Sequence, residues 1–160
     1  MKYKLTKETK VVDGVTVYRI QATTDFFAIK KGDLGGFVEK EANLSQVGSA
    51  WVYDDAVVYG NASVFEFAKV LDNSTVHGDA KVYGHAIVKG NARVSESASV
   101  ADHATVKEDA FIHGNAIVVG HADVTGNTEL LDYAVAFGHA YIKVDGVLGG
   151  HSELYNHLVL

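Results

Sequence analysis

Histidine recurs at intervals of 18 residues through the second half of the sequence. The members of this column are His85, His103, His121, His139 and His157. Imidazole binds transition metals and takes up a proton in mild acid, so such a column could form a metal site or a pH sensor. Equal spacing does not make ligands converge on one ion, however, and the matching positions elsewhere hold turn-forming Asn and Asp. These histidines are therefore weak metal candidates, and a role as turn residues is favoured.

Other reactive groups are scarce. The sequence has no Cys, which excludes thiolate nucleophiles and Cys-bound metal centres. Its 16 Gly residues form no phosphate-binding loop, and no Ser–His–Asp signature is present. We assign no catalytic residue and expect no cofactor.

Composition narrows the class of protein. The 160 residues suffice for one domain with a core, and 48% of them are hydrophobic. A net charge of -6 argues against a nucleic-acid partner. No apolar run reaches the roughly 18 residues of a membrane span, and the start lacks the apolar stretch of a signal peptide. We therefore expect a cytoplasmic protein without a membrane partner.

A period of six residues organises most of the chain. Every sixth residue from Val52 to Leu160 is apolar, and the fifth residue of nearly every hexad is Ala or another small residue. The same frame extends backwards, more weakly, to Leu34. A helix would scatter these positions over its surface, because six residues advance it by about 600°. The pattern instead predicts short strands whose first residue points inward.

Three such hexads close one triangular coil. The third and fourth residues of a hexad, usually Gly or an acid followed by Asn, Asp or His, form the turn, and the small fifth residue fits the corner. Successive coils should pair through parallel ladders about 4.8 Å apart. We predict a solenoid of about seven coils over residues 34–160 and a separate cap over residues 1–33.

This pattern resembles the hexapeptide repeat of left-handed parallel β-helix proteins. Residues 5–9, 17–20, 32–39, 43–45 and 51–54 are similar to the YdcK-type β-solenoid proteins of bacteria and phages. The resemblance implies an all-β fold with left-handed winding. The handedness is taken from the family alone, because ordinary crossover rules favour the opposite hand. Proteins of this type are often labelled acetyltransferases without an established activity.

The amino-terminal segment is expected to close the open end of the solenoid. Residues 11–18 read as a β-hairpin with Asp13-Gly14 at its turn. An uncovered first coil would expose strand edges and the apolar bore. Phe26, Phe27 and Ile29 are the expected plug.

One outer column is apolar throughout and predicts an interface. Its members are Val47, Phe65, Tyr83, Ala101, Val119, Phe137 and Tyr155, and Ile117 and Val135 share the same face. Such a stripe marks a contact surface. The alternatives to self-association are that a different protein binds it, that the amino-terminal segment covers it, or that Tyr and Val merely suit strands.

Self-association is the favoured use of this stripe. Many hexapeptide proteins are trimers, which suggests three chains packed by their sides. Leu158 and Leu160 fall on inward positions of a last coil with no polar cap, so end-to-end packing of two chains is the alternative.

The sequence therefore favours a non-catalytic, self-associating scaffold or protein-binding module. By analogy with the phage relatives, its partner could be a host protein. The alternative is a CoA-dependent acyltransferase of the hexapeptide-repeat class. Against it, the unbroken frame shows no excursion loop that would build an acyl-CoA pocket.

Overall fold

The computed structural model describes residues 1–156 and 158–160 of the chain. It confirms an all-β solenoid of about seven coils, with an antiparallel hairpin at the amino-terminal end. The helical structure in this described part of the chain is one short 3-10 turn, Glu41–Asn43. Over the same residues, no helix has the length and apolar character needed to cross a membrane. The left-handed winding stays a prediction.

Short parallel strands line three faces. The hairpin face contains Leu34–Val38, Val57–Val58, Thr75–Val76, Arg93–Val94, Phe111–Ile112, Thr128–Leu130 and Gly146–Leu148. The apolar face contains Ser63–Val64, Lys81–Val82, Ser99–Val100, Ile117–Val118, Val135–Phe137 and Glu153–Tyr155. The lysine face contains Trp51–Val52, Lys69–Val70, Ile87–Val88, Thr105–Val106, Asp123–Thr125, Tyr141–Lys143 and Leu158–Val159. The chain visits the lysine, hairpin and apolar faces in that order.

The core is a continuous shaft of stacked aliphatic side chains. Val64 pairs with Val82, which pairs with Val100, and all three are fully buried. The fifth-position alanines are also buried, because a larger side chain would not fit the narrow corner. In one coil the larger Leu130 and the smaller Ala136 occupy successive inward positions, and both are fully buried.

The turns depend on the third residue of each hexad. That residue has a positive φ whether it is Gly84 (66°), Asp102 (59°) or Glu108 (58°). Where it is acidic, its carboxylate generally accepts a hydrogen bond from the glycine N–H one coil further on, at 2.7–3.1 Å. These pairs are Glu66–Gly84, Asp72–Gly90, Glu96–Gly114, Asp102–Gly120, Glu108–Gly126 and Asp132–Gly150. The left-handed conformation thus belongs to the third position, and the Asn or His at the fourth follows it.

The hairpin forms with the predicted turn. Strand β1 (Tyr3–Val12) pairs antiparallel with β2 (Val15–Ala22) across Asp13-Gly14. Strand β2 pairs antiparallel with β3 (Leu34–Val38), and β3 pairs in parallel with Val57–Val58. The hairpin therefore adds two strands to the amino-terminal edge of the hairpin face.

The plug differs from the predicted one. Ile29 is buried and Phe26 packs edge-on against Trp51, with ring centroids 5.3 Å apart. Phe27 was a wrong prediction, because it lies at a tight turn with φ of 48° and is 78% exposed. Tyr3 is fully buried instead, and its hydroxyl donates to the Leu44 carbonyl at 2.7 Å. The sequence gave no sign of Tyr3, because it lies outside the repeat.

The hexad frame breaks at both ends. Val38 pairs with Val58 and Leu44 with Val64, so the first coil is two residues longer than the others. The frame that begins at Leu34 is therefore wrong, and Leu34 is 57% exposed. The extra residues form a bend in which Ser45 Oγ accepts from the Val47 N–H at 3.1 Å. Val47 consequently leaves the apolar column and is 79% exposed.

The second break lies near the carboxyl end. Tyr141 pairs with Leu158 and Ile142 with Val159, which is one residue short of the usual 18. Val159 therefore takes the inward position predicted for a leucine. Leu158 is 69% and Leu160 is 78% exposed, so their inward placement was wrong.

Candidate functional site

Most of the predicted interface residues lie together on the apolar face. Phe65 and Tyr83 stack with ring centroids 4.9 Å apart, and Phe137 and Tyr155 stack at the same distance. Val119 and Val135 are half-buried, and Ile117 is 37% exposed. Ala101, the smallest member of its column, is only 1% exposed. The face therefore presents a ridged apolar strip, whose use as an interface stays a prediction.

The amino-terminal hairpin packs elsewhere. Val12, Val15 and Val17 of the hairpin contact Phe37, Val57 and Tyr59 on the outside of the hairpin face. Tyr59 Oη donates to Asp13 Oδ2 at 2.6 Å and anchors the turn there. The hairpin therefore packs on the hairpin face and does not cover the apolar strip. Covering by the amino-terminal segment was one of the alternatives to self-association.

The histidine column lies at the corner between the apolar and lysine faces. His85, His103, His121 and His139 are exposed, and neighbouring imidazole rings lie 4.8–4.9 Å apart with planes within 6° of parallel. Phe67 extends the stack at its amino-terminal end, with its centroid 4.6 Å from that of His85. His157 lies outside the described residues.

Metal binding by this column has no further support. Within residues 1–156 and 158–160, no three His, Asp or Glu side chains are placed to share an ion. Parallel rings present their nitrogens side by side, whereas tetrahedral zinc requires ligands that converge. The metal role of the column stays a weak prediction.

A polar cluster on the hairpin face was not predicted. His113 Nε2 lies 2.7 Å from Glu129 Oε1, and His113 Nδ1 lies 3.7 Å from Glu96 Oε2. The imidazole stacks on Phe111 with centroids 4.2 Å apart, and the Arg93 guanidinium covers the Phe111 ring at 4.2 Å. These side chains reach diagonally between columns, so the 18-residue stacking rule alone does not find them.

His77 lies closer to the hairpin on the same face. Its ring stacks on Tyr59 with centroids 4.9 Å apart. Burial lowers the pKa of His77, and the nearby Arg93 lowers it further, while Asp13 and Glu96 act in the opposite direction. Burial also raises the pKa of Tyr59, as does its hydrogen bond to Asp13.

The lysine face carries the surface depressions. One of about 310 Å³ is lined by Asp72, Lys89, Gly90, Lys107 and Glu108. Another of about 520 Å³ is lined by Gly126, Lys143, Val144, Asp145 and Leu160. Neither lining contains an imidazole, and the Lys107 ammonium is paired with Asp123 at 2.7 Å. These depressions do not bring a general base to a pocket.

Comparison with known proteins agrees with this architecture. No protein-family model matches the chain. Over 87 residues the chain is 30% identical to a protein of Escherichia coli K12 named "Uncharacterized acetyltransferase YdcK". The chain is a hexapeptide-repeat β-solenoid. The match covers 49% of this β-solenoid but 27% of the relative, so the chain spans about a quarter of the relative's length.

Proposed function

We propose that this β-solenoid is a non-catalytic scaffold that self-associates through its apolar face. The observation that supports the proposal is the run of outward apolar side chains on that face, from Phe65 to Tyr155. The lysine face, by contrast, carries Lys69, Lys89, Lys107 and Lys143. A large apolar strip of this kind costs free energy in water, and packing against another surface removes that cost.

The regular repeat makes a second copy a suitable partner. Side chains in each column recur at the ladder spacing of about 4.8 Å, so ridges and recesses of two copies match along the whole strip. A rigid rod of this kind can then display its other faces, including the histidine corner, to a further protein. Binding of a host protein by those faces is part of the proposal.

Light scattering on a charged variant tests the assembly. Phe137→Asp places a carboxylate within the strip and should reduce the mass to the 17.1 kDa of one chain. Thr105→Asp, on the lysine face, is the matched control and should keep the mass of the unchanged protein. An unchanged mass in Phe137→Asp, or a wild-type protein that is already monomeric, would contradict the proposal.

A CoA-dependent acyltransferase is the second candidate. It is supported by the name of the E. coli relative and by the contact of His113 with Glu129, because a carboxylate-oriented imidazole can act as a general base. Calorimetry with acetyl-CoA tests it. Binding in the micromolar range that is lost in His113→Asn would favour the enzyme, and no heat of binding would count against it.

A further inference from the structure

Six coils contribute to the apolar face, and the outward residues of the last five are arranged symmetrically about one coil, while Ser63 and Phe65 of the first coil lie outside this set. Within the five, the first of the two columns reads Lys81, Ser99, Ile117, Val135 and Glu153, and the second reads Tyr83, Ala101, Val119, Phe137 and Tyr155. Ile117 and Val119 are the middle members. A basic residue stands two coils to one side of Ile117, and an acidic residue stands two coils to the other side.

We infer that two copies pack through this face in antiparallel orientation, about a two-fold axis that runs along the Ile117 strand. This pairing rests on the proposed self-association and specifies its geometry. Rotation about this axis reverses the direction of the solenoid, and each column of one molecule faces the same column of the other molecule. Lys81 then lies opposite Glu153 of the second copy, and Ser99 lies opposite Val135.

The second column fits the same axis. The Phe137 ring lies opposite the small Ala101 of the second copy, and Val119 meets its own equivalent. Tyr83 lies opposite Tyr155, so an aromatic pair forms at each end of the overlap. Each large side chain in the contact is thus matched by a small or compatible one, as close packing requires.

A parallel arrangement lacks this complementarity. Parallel side-by-side packing keeps all copies in the same axial register, so Lys81 of one copy and Glu153 of its neighbour stay four ladder steps apart, about 19 Å along the axis. The two opposite charges then cannot pair across the contact. The charge pattern therefore selects two antiparallel copies over three parallel ones.

Charge reversal tests the pairing by sedimentation equilibrium. Lys81→Glu and Glu153→Lys should each weaken the dimer by about 10-fold or more, and the double variant should restore it, because the two ends exchange charges. Lys143→Glu on the lysine face makes the same change in charge and should leave the dimer intact. The antiparallel pairing would be overturned if the single reversals left the dissociation constant of the oligomer unchanged, or if the double variant dissociated more readily than either single variant. Neither result would overturn the proposed self-association. A monomeric wild type would overturn the proposed function as well.

Cross-linking gives an independent readout, since the chain has no Cys of its own. Ile117→Cys lies on the proposed axis and should form a disulfide between two copies under mild oxidation. Ser99→Cys faces Val135 rather than itself and should remain reduced. Cross-linking of Ser99→Cys as readily as Ile117→Cys contradicts the antiparallel axis.

Discussion

The imidazole rings of His85 and His103 lie parallel, with centroids 4.9 Å apart and planes inclined by 3°. Their separation follows the ladder between coils rather than any property of histidine. His103 also stacks on His121, with centroids 4.8 Å apart, so its ring lies between two others.

The first prediction concerns stacking in this column. His103→Asn removes the ring that lies between His85 and His121, so it loses two stacking contacts and should lower the urea midpoint. His151→Asn is the control, since His151 stacks on the single ring of Tyr133 and its replacement should cost less. Equal midpoints for the two variants would contradict a contribution of the second stacking contact.

The second prediction concerns Lys2, a buried residue of the plug whose ammonium lies over the Phe26 ring and donates to the Ala50 carbonyl at 2.8 Å, at alkaline pH. Burial lowers the pKa of Lys2 from 10.5 to about 8, so the contribution of Lys2 to stability should rise as the pH goes from 8 to 10.5. In that interval the unfolded chain holds the proton that the folded chain has released. Lys2→Met should flatten this part of the stability curve, as measured by urea unfolding across the interval. A slope that persists in Lys2→Met would show that another group is responsible.

The third prediction concerns Tyr3, which acts in the opposite direction. Burial raises the pKa of Tyr3 above its ordinary value of 10.0, so the folded chain keeps a proton that the unfolded chain loses. Stability should therefore fall as the pH rises above 10. Tyr3→Phe removes this titration and should fall less steeply above pH 10, although it starts from a lower stability because it loses the hydrogen bond to Leu44. An unchanged slope would contradict the assignment.

The fourth prediction separates backbone strain from steric overlap in the turns. Gly14 and Gly84 both have positive φ, at 77° and 66°. A methyl group at Gly14 meets nothing within 4 Å, whereas at Gly84 it would lie 2.7 Å from the Asp102 nitrogen. Gly14→Ala should cost about 1 kcal/mol in unfolding free energy from the backbone alone. Gly84→Ala should cost clearly more, and equal costs would show that the coils can move apart.

The fifth prediction concerns volume within one coil. Leu130 and Ala136 are fully buried inward residues of the same coil. Leu130→Val should cost about 1 kcal/mol through lost contacts, and Ala136→Val should cost about 1–2 kcal/mol through overpacking. The double variant offsets part of the added volume, because the carbon lost at Leu130 makes room for one of the two gained at Ala136, and should be less destabilised than the sum. Simple additivity in urea unfolding would show that the two sites repack independently.

The repeating part of the fold could be predicted from the sequence because every hexad has the same residue types at the same positions. Val at the first position, Ala at the fifth and Gly or an acid at the third are needed in each coil for the same physical reasons. The column from Phe65 to Tyr155 on the apolar face could be predicted because residues 18 apart stack in this repeat, and no side-chain contact had to be known. The hairpin turn was predicted because Asp13-Gly14 is a local signal.

Features that depend on a single location were missed. Val47 is apolar at a position where the frame expects an apolar residue, so the two-residue insertion beside it left no trace in the pattern. At the carboxyl end, one missing residue exchanged Leu158 and Val159, which are both aliphatic. The contact of His113 with Glu129 depends on side-chain direction between columns, which periodicity does not encode.

The carboxylate–amide bonds from one coil to the next have a consequence for length. Each coil is held to its neighbours by the same devices, so the rod grows or shrinks in whole steps of 18 residues without disturbing either terminus. Excision of one such step would move the two ends closer by about 4.8 Å and leave their chemistry alone. The length of the solenoid is therefore set by the number of its coils.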